Sequence, residues 1–365
     1  MKPIKVVFIG AGWVCANRHI PAFAALKNVT LWGIIDAYEE KAKNTARKWK
    51  MPHYAAINNI EGIGWFADAD AVVVTTPPVT HYEWIRQSLL AGKHVLTEKP
   101  FSTKREHGQA LLDLAKARNL QLCVVHNNLY TRAQKKLRQW IAKGKLGEIT
   151  GLSISLLNNP NRHLPGWYDD LPCGLLFDEL SHFLYTAASL TTNLRAHAAE
   201  MYVSRCGLKN TPSKARITLL SDHFPLFFSL DFEAPVCEWH VTIQGTKGAA
   251  NVDVFRDILM FVPSDGKHTL KDHFRTVANF LWDTSMGFAK TGVAYMTGSL
   301  SYGMRDIAKC FIQCLKNNIN PEHYISGEFG VRIFNLLCDV VEMLEKNKDT
   351  ATFSLQLPTP ELGTQ

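Results

Sequence analysis

The feature that most constrains this chain is an alternation near its start. Residues 4–9, 30–35, 71–75, 94–97 and 121–125 are short runs rich in valine, isoleucine and leucine, with few polar interruptions. Amphipathic stretches at residues 14–26, 39–48, 81–91 and 103–118 separate them. Near-continuous apolar strands are covered on both faces, and parallel neighbours require crossover connections. The pattern predicts an α/β unit with a doubly wound parallel sheet.

After residue 126 the rhythm changes. Residues 148–157, 215–220, 226–233, 238–245 and 250–255 read as strands, with a turn-like Gly245-Thr246-Lys247-Gly248 between the last two. Helical patterns follow at residues 268–290, 298–316 and 327–346, and the tail 349–365 reads as a strand-like piece with a loose end. That order predicts an α+β unit whose mostly antiparallel open sheet has helices on one face. At 365 residues the chain exceeds a comfortable single core. The expected division is residues 1–126 for the α/β unit and 127–365 for the α+β unit. Alternating Leu and Phe over residues 224–232 suggest an uncovered apolar sheet face suited to self-association.

Composition removes several function classes. With 46% hydrophobic and 20% charged residues, the chain is neither fibrous nor wholly disordered. No stretch approaches the ~20 apolar residues of a membrane-spanning helix. The first residues lack the apolar core of a secretory leader and run straight into a strand-like segment. The net charge of +7 suits an anionic ligand. The basic run at residues 132–145 is interleaved with Ala133, Leu137 and Ile141, the pattern of a solvated helix face, so no nucleic-acid partner is expected. Eight cysteines form no CxxC pair, and Cys310 and Cys314 read as buried thiols. A reducing, cytoplasmic setting is expected, with neither a metal centre nor a membrane partner.

The first chemical motif is Gly10-Ala11-Gly12-Trp13-Val14-Cys15, directly after the first strand and opening a helix. Gly10 permits the tight turn. Gly12 lets backbone approach a pyrophosphate, and the helix N-terminus offers free N–H groups to it. Asp36 ends the second strand, where a carboxylate accepts from ribose hydroxyls and repels a 2′-phosphate, favouring NAD over NADP without excluding the latter. The alternative for Asp36 is a cap on the following helix.

Two further stretches carry most of the specificity: Thr75-Thr76-Pro77-Pro78-Val79-Thr80-His81, and Gly92-Lys93-His94-Val95 leading to Glu98-Lys99-Pro100. Together with Gly10–Cys15, Asp36 and Gly144-Lys145-Leu146-Gly147-Glu148-Ile149, they resemble the Gfo/Idh/MocA family of glucose–fructose oxidoreductase and inositol dehydrogenase. The resemblance implies an N-terminal Rossmann domain and a dinucleotide held by Gly10, Gly12, Trp13, Val14, Asp36, Thr75, Thr76, Pro77, His81, Glu98, Lys99 and Asn127. It also implies that Lys99 lies between nicotinamide and the reacting hydroxyl. Independently, Lys99 follows a strand end of the sheet, where a lysine stabilises developing alkoxide charge. His81 has two readings, beside the cofactor or as a helix-start histidine bonded to backbone.

The third constellation is Gly174-Leu175-Leu176-Phe177-Asp178-Glu179-Leu180-Ser181-His182. Asp178 and His182 are four apart and share one helix face. On so apolar a helix they require partners or a purpose. His182 suits proton transfer near neutral pH. Asp178 either orients it or binds substrate; a purely structural pair and a metal pair are the alternatives. The family carries the same Asp-x-x-x-His spacing at its substrate site. Upstream, residues 158–170 hold Arg162, Trp167 and Tyr168 in a polar, aromatic loop suited to a polyol, or else an ordinary surface connection. Where many relatives have an Asn-Arg-Arg-Phe-like run, this chain has His126-Asn127-Asn128-Leu129-Tyr130, without the arginine pair.

The expected function is an NAD(P)-dependent oxidoreductase acting on a secondary alcohol or ketone of a sugar, cyclitol or nucleotide sugar, working as a homodimer or homotetramer. The catalytic residues expected are Lys99, Asp178 and His182, with Arg162, Trp167 and Tyr168 beside the substrate. Two rivals stand: a dinucleotide-binding regulatory protein without catalysis, and an enzyme with retained NAD that performs redox-assisted elimination or hydrolysis.

Overall fold

The computed structural model describes residues 2–162, 164–202, 209–297 and 301–347. Six parallel strands form the first sheet: β1 (Ile4–Ile9), β2 (Val29–Asp36), β3 (His53–Ala56), β4 (Ala71–Val74), β5 (His94–Thr97) and β6 (Leu122–Val124), in spatial order β3-β2-β1-β4-β5-β6. A π-helical turn, Cys15–His19, runs into α1 (Ile20–Ala24); α2 (Glu39–Trp49), α3 (Pro78–Leu90) and α4 (Arg105–Ala117) complete the crossovers. All four residues of β4 are buried, as a central strand between helical layers requires. The strand order reverses between β1 and β4, so a crevice opens beyond their carboxyl ends.

Edge strand β3 was absent from the sequence reading. Its four residues alternate between half-buried and exposed, too short a pattern to register.

Helix α5 (Arg132–Ala142) leads into the second sheet. Its strands are β7 (Ile149–Leu157), β8 (Arg195–Tyr202), β9 (Lys214–Leu220), β10 (Pro225–Asp231), β11 (Glu238–Gly245), β12 (Gly248–Asp253) and β13 (Ile258–Pro263), ordered β13-β12-β11-β7-β10-β9-β8. Helix α6 (Leu175–Ala188) separates β7 from β8 along the chain. Pairing is antiparallel except between β7 and β10, where Leu226 lies beside Leu152 in parallel register. Strands β8 and β13 were also unforeseen; both are edge strands, and β8 mixes Arg195, His197 and Glu200 into its run.

The expected apolar outer face at residues 224–232 requires correction. Leu226, Phe228 and Leu230 point inward and are buried, as are Phe224 and Phe232; only Phe227 is exposed, at 55%. Beside Phe227 lie Ser153 and Thr218, so the outward side here is small and polar. A period of two sends alternate residues to opposite faces, and in β10 the phase puts leucine in the core.

The last helices are α7 (Leu270–Met296), α8 (Met304–Asn317) and α9 (Gly327–Lys346). Helix α9 packs on α4 of the first unit and α6 of the second, and Ser326 before it bridges to Cys123 of β6. Helix α9 thus fastens the two sheets together. The helical pattern expected from residue 298 begins outside the described residues, as do His163, Cys206 and the tail 349–365. Among the described residues no helix is long and apolar enough to cross a membrane.

Candidate active site

The glycine turn sits at the carboxyl end of β1. Gly10 has φ +94°, and a Cβ there would meet the Thr75 and Thr76 backbone at 2.9 Å. Only glycine fits that crossing of β1 and β4. A Cβ on Gly12 would meet nothing within 4 Å, so the backbone is bare toward open space at the head of a helix. Trp13 and Val14 are exposed over the same mouth, at 66% and 38%. The Asp36 carboxylate accepts from Ala11 N at 2.6 Å and Tyr38 N at 2.9 Å, tying the turn to the end of β2. It caps no helix. The Thr75 hydroxyl donates to the carbonyls of Ile9 and Gly10, and Pro77 precedes α3. This cradle fits a dinucleotide: open backbone where a pyrophosphate would lie, and a carboxylate at the strand end for ribose hydroxyls.

His81 is corrected. It is fully buried, with Nδ1 2.9 Å from the Pro100 carbonyl and Nε2 2.8 Å from the Thr76 carbonyl. Both nitrogens lie against backbone carbonyls, to one of which the neutral ring donates, so the ring is packed between the loop after β4 and the loop after β5. Burial lowers its pKa. Glu98 is likewise tied internally, through His19 Nε2 at 2.6 Å. Burial opposes ionisation of Glu98, but the bond to His19 and the nearby Lys99 charge outweigh it and lower the pKa. His19 was missed in the sequence, because nothing in its neighbours links it to a residue 79 positions away.

Lys99 reaches across to the second unit. Its Nζ donates to Asp178 Oδ2 at 2.8 Å and to the Asp178 carbonyl at 3.3 Å. Both side chains are nearly buried, 11% and 9% exposed. Asp178 therefore holds Lys99 and does not orient His182. Helical spacing puts Asp178 and His182 on one face, but the carboxylate turns toward the cation.

His182 has other partners. Its Nδ1 lies 2.5 Å from the Tyr185 hydroxyl and 3.3 Å from Asn128 Nδ2. The Tyr185 hydroxyl also lies 3.4 Å from Asn127 Oδ1, and Asn127 Nδ2 donates to the Tyr302 carbonyl. Trp239 and Tyr185 wall the imidazole edge-to-face, and His126 packs against Tyr185. Burial, then the positive charge of Lys99, pushes the His182 pKa well below 6.5, so the ring is neutral at pH 7. Lys99 is thus close enough to be felt at His182. Tyr185, Asn128 and Trp239 escaped the sequence reading; of these only Tyr185, three positions from His182, carried a local signal.

The loop expected beside the substrate lies against this cluster. Arg162 donates to Asn158 Oδ1 at 3.0 Å and stands 3.7 Å from Glu179. Trp167 and Tyr168 lie with ring centroids 3.9 Å apart. Burial raises the Tyr168 pKa, and the Asp178 and Glu179 carboxylates add to it. Burial beside Asp178 also raises Glu179, a carboxyl group that the sequence reading passed over. A cavity of about 430 Å³ is bounded by Asn158, Arg162, Tyr168, Lys209 and Thr211, among others. Among the described residues no group of three or more His, Cys, Asp or Glu could hold a metal ion.

Residues 4–126 match the model of the Gfo/Idh/MocA oxidoreductase family, described as an NAD-binding Rossmann fold. Over that segment, about a third of its length, the chain is similar to the Gfo/Idh/MocA oxidoreductases. An uncharacterised oxidoreductase of Schizosaccharomyces pombe is 32% identical over 195 residues, covering 52% of each chain. A dTDP-3,4-didehydro-2,6-dideoxy-α-D-glucose 3-reductase of Streptomyces violaceoruber is 30% identical over 164 residues, 44% of this chain and 46% of that one. The chain spans about half the length of the curated relatives it matches. The WlbA dehydrogenase of Bordetella pertussis, solved with NADH and UDP-GlcNAcA, shares the fold at TM-score 0.76 and 19% identity, over 95% of this chain and 96% of that one.

Proposed function

We propose that the protein is an NAD(P)-dependent oxidoreductase acting on a secondary alcohol or ketone of a sugar or cyclitol, with a nucleotide-linked sugar the favoured class. In this reading residues 1–126 bind the dinucleotide and residues 127–365 supply most of the substrate site. The observation that carries it is the reach of Lys99, from the strand-end crevice of the first sheet, into contact with Asp178 on α6, one helical turn from His182. The dTDP-sugar reductase among the relatives and the UDP-sugar in the neighbouring structure support the nucleotide-sugar class.

The nicotinamide, when bound, accepts or supplies hydride. The chain's own residues do the rest. Lys99 donates a hydrogen bond to the reacting oxygen and stabilises its developing negative charge; Asp178 fixes the ammonium in place. Neutral His182 takes the hydroxyl proton on Nε2 as Nδ1–H donates to Tyr185, whose own hydroxyl proton points to Asn127. Reduction reverses the transfer. Asp36 favours NAD over a 2′-phosphorylated cofactor by charge repulsion. The compartment proposed is the cytoplasm.

The test is a screen of NADH and NADPH oxidation, and of the reverse reaction, over keto sugars, cyclitols and nucleotide sugars, with Lys99→Met and His182→Ala as controls. The proposal expects turnover that each replacement lowers by about a hundredfold or more while dinucleotide still binds. Tight NADH binding with no hydride exchange across the panel would favour a regulatory protein. Turnover without added cofactor would favour retained NAD.

A further inference from the structure

Helix α7 runs along edge strand β13 with its chemistry facing the wrong way for a monomer. The side turned to the protein is mostly polar or small, with Phe280 its one half-buried aromatic. Asp283 accepts from Phe261 N at 3.0 Å, Gly287 packs on Ile258, and Thr291 donates to the Arg256 carbonyl at 3.1 Å. None of its 27 residues is buried. The opposite side carries Leu270, Phe274, Val277, Leu281, Phe288 and Tyr295, exposed by 53% to 77%. Trp282, Val293 and Met296 widen the apolar surface and are at least 54% exposed.

Phe274, Leu281, Phe288 and Tyr295 recur every seven residues, and Leu270 and Val277 add an intervening row over the first half of the helix, which continues as Thr284 and Thr291. This is the spacing by which one helix packs against another. At 150–250 Å² for each aromatic side chain, Phe274, Trp282, Phe288 and Tyr295 together offer roughly 600–1,000 Å². That is on the order of the ~800 Å² per partner of a stable interface and at or above the patch a monomer leaves open. The seam itself carries no charge, and the helix as a whole has three basic and two acidic residues, without the basic flanks of a helix lying on a membrane.

We propose that α7 is a dimerisation helix that docks antiparallel on α7 of a second copy of this chain. Phe274 and Phe288 are each seven residues from Leu281. A two-fold axis at Leu281 therefore lays Phe274 of one copy against Phe288 of the other, the self-complementarity that an isologous contact requires. A sheet-face contact centred on Phe227 is the competing surface, and it offers one exposed aromatic among serines and threonines.

Sedimentation velocity of the full chain at micromolar concentration tests this. Wild type is expected at an even number of chains. Phe288→Glu combined with Leu281→Arg halves that mass, with the circular dichroism spectrum kept because neither side chain is buried in the protomer. Phe227→Glu serves as the rival arm. In a second measurement, Leu281→Cys in a Cys237→Ser background is linked into a covalent dimer by a short bis-maleimide. A monomeric wild type, an unchanged mass for the α7 variant, or failure to cross-link at position 281 overturns the proposal. Halving by Phe227→Glu alone would assign the interface to the sheet.

Discussion

Helices α6 and α7 belong to the same half of the chain and treat polar residues in opposite ways. Helix α6 buries twelve of its fourteen residues, Asp178 and Glu179 among them. Helix α7 is nearly twice as long, buries none, and turns its aromatic residues to solvent. Burying a carboxylate costs several kcal/mol unless a partner compensates, and Asp178 has one in Lys99. Exposing apolar surface carries its own cost, which an unpartnered α7 does not recover. The contrast separates two kinds of constraint. Polar groups buried without need for the fold mark chemistry; apolar groups exposed without need mark association.

The largest expected effect comes from breaking the pair that gives α6 its character. Lys99→Met should lower kcat by up to about a thousandfold, because charge stabilisation in a dry site is typically worth about 3–4 kcal/mol. It should also destabilise the fold by about 3 kcal/mol, since Asp178 is left buried without its cation. Adding Asp178→Asn should restore much of the urea midpoint and none of the turnover. If the double variant recovered activity, the pair would be structural only.

His182→Ala should cost about a hundredfold or more in kcat, the usual worth of a positioned proton-transfer group. The pH dependence sharpens this. His182 titrates well below 6.5 in the folded chain, so alcohol oxidation should be level near pH 7 and fall only in acid. Stability follows the same groups. His81, His126 and His182 are all lowered by burial, His126 to about 4. Below pH 6.5 the unfolded chain takes up protons that these folded sites refuse, so stability is lost as pH falls, by up to about 1.4 kcal/mol per pH unit for each histidine. Urea midpoints at pH 7.5, 6 and 5 should show a slope steeper than one proton; a flat profile would contradict neutral burial.

How much of this was legible in the sequence differs between the two sheets. Strands β1 and β5 fall where apolar runs placed them, because buried strands leave such runs, and β11 where alternation of apolar and polar residues did. Edge strands β3 and β8 did not register, since an edge tolerates polar residues and carries less pattern, whereas β13 is an apolar run, Ile258–Pro263, that edge position does not hide. At the site, Gly10, Gly12, Lys99, Asp178 and His182 stood out because each type at its position had a local reason. Their pairing did not. The Lys99–Asp178 contact spans 79 residues, and helical spacing alone favoured Asp178 with His182. For His81 the sequence left two readings open, and only tertiary packing selects the one bonded to backbone carbonyls.

Smaller effects follow from the positioning groups. Tyr185→Phe should lower kcat about tenfold with little change in dinucleotide affinity, because Nδ1–H of His182 loses its acceptor and the remaining neighbour, Asn128 Nδ2, is itself a donor. A change in dinucleotide Kd equal to the loss in kcat would place Tyr185 in the fold and not beside the proton. Smallest of all, Asp36→Ser should raise NADPH affinity relative to NADH by about 1 kcal/mol, through loss of one repulsive charge. Titration of both cofactors by fluorescence measures it, and an unchanged ratio would remove Asp36 from cofactor choice.

The central claim is that an ammonium on one unit and an imidazole on the other meet at a single substrate oxygen. A crystal structure with NADH and a nucleotide sugar tests it most directly. The account predicts Lys99 Nζ and His182 Nε2 each within about 3.2 Å of the same oxygen, whose carbon faces the nicotinamide ring. Either group standing a ligand's width away from that oxygen would contradict it.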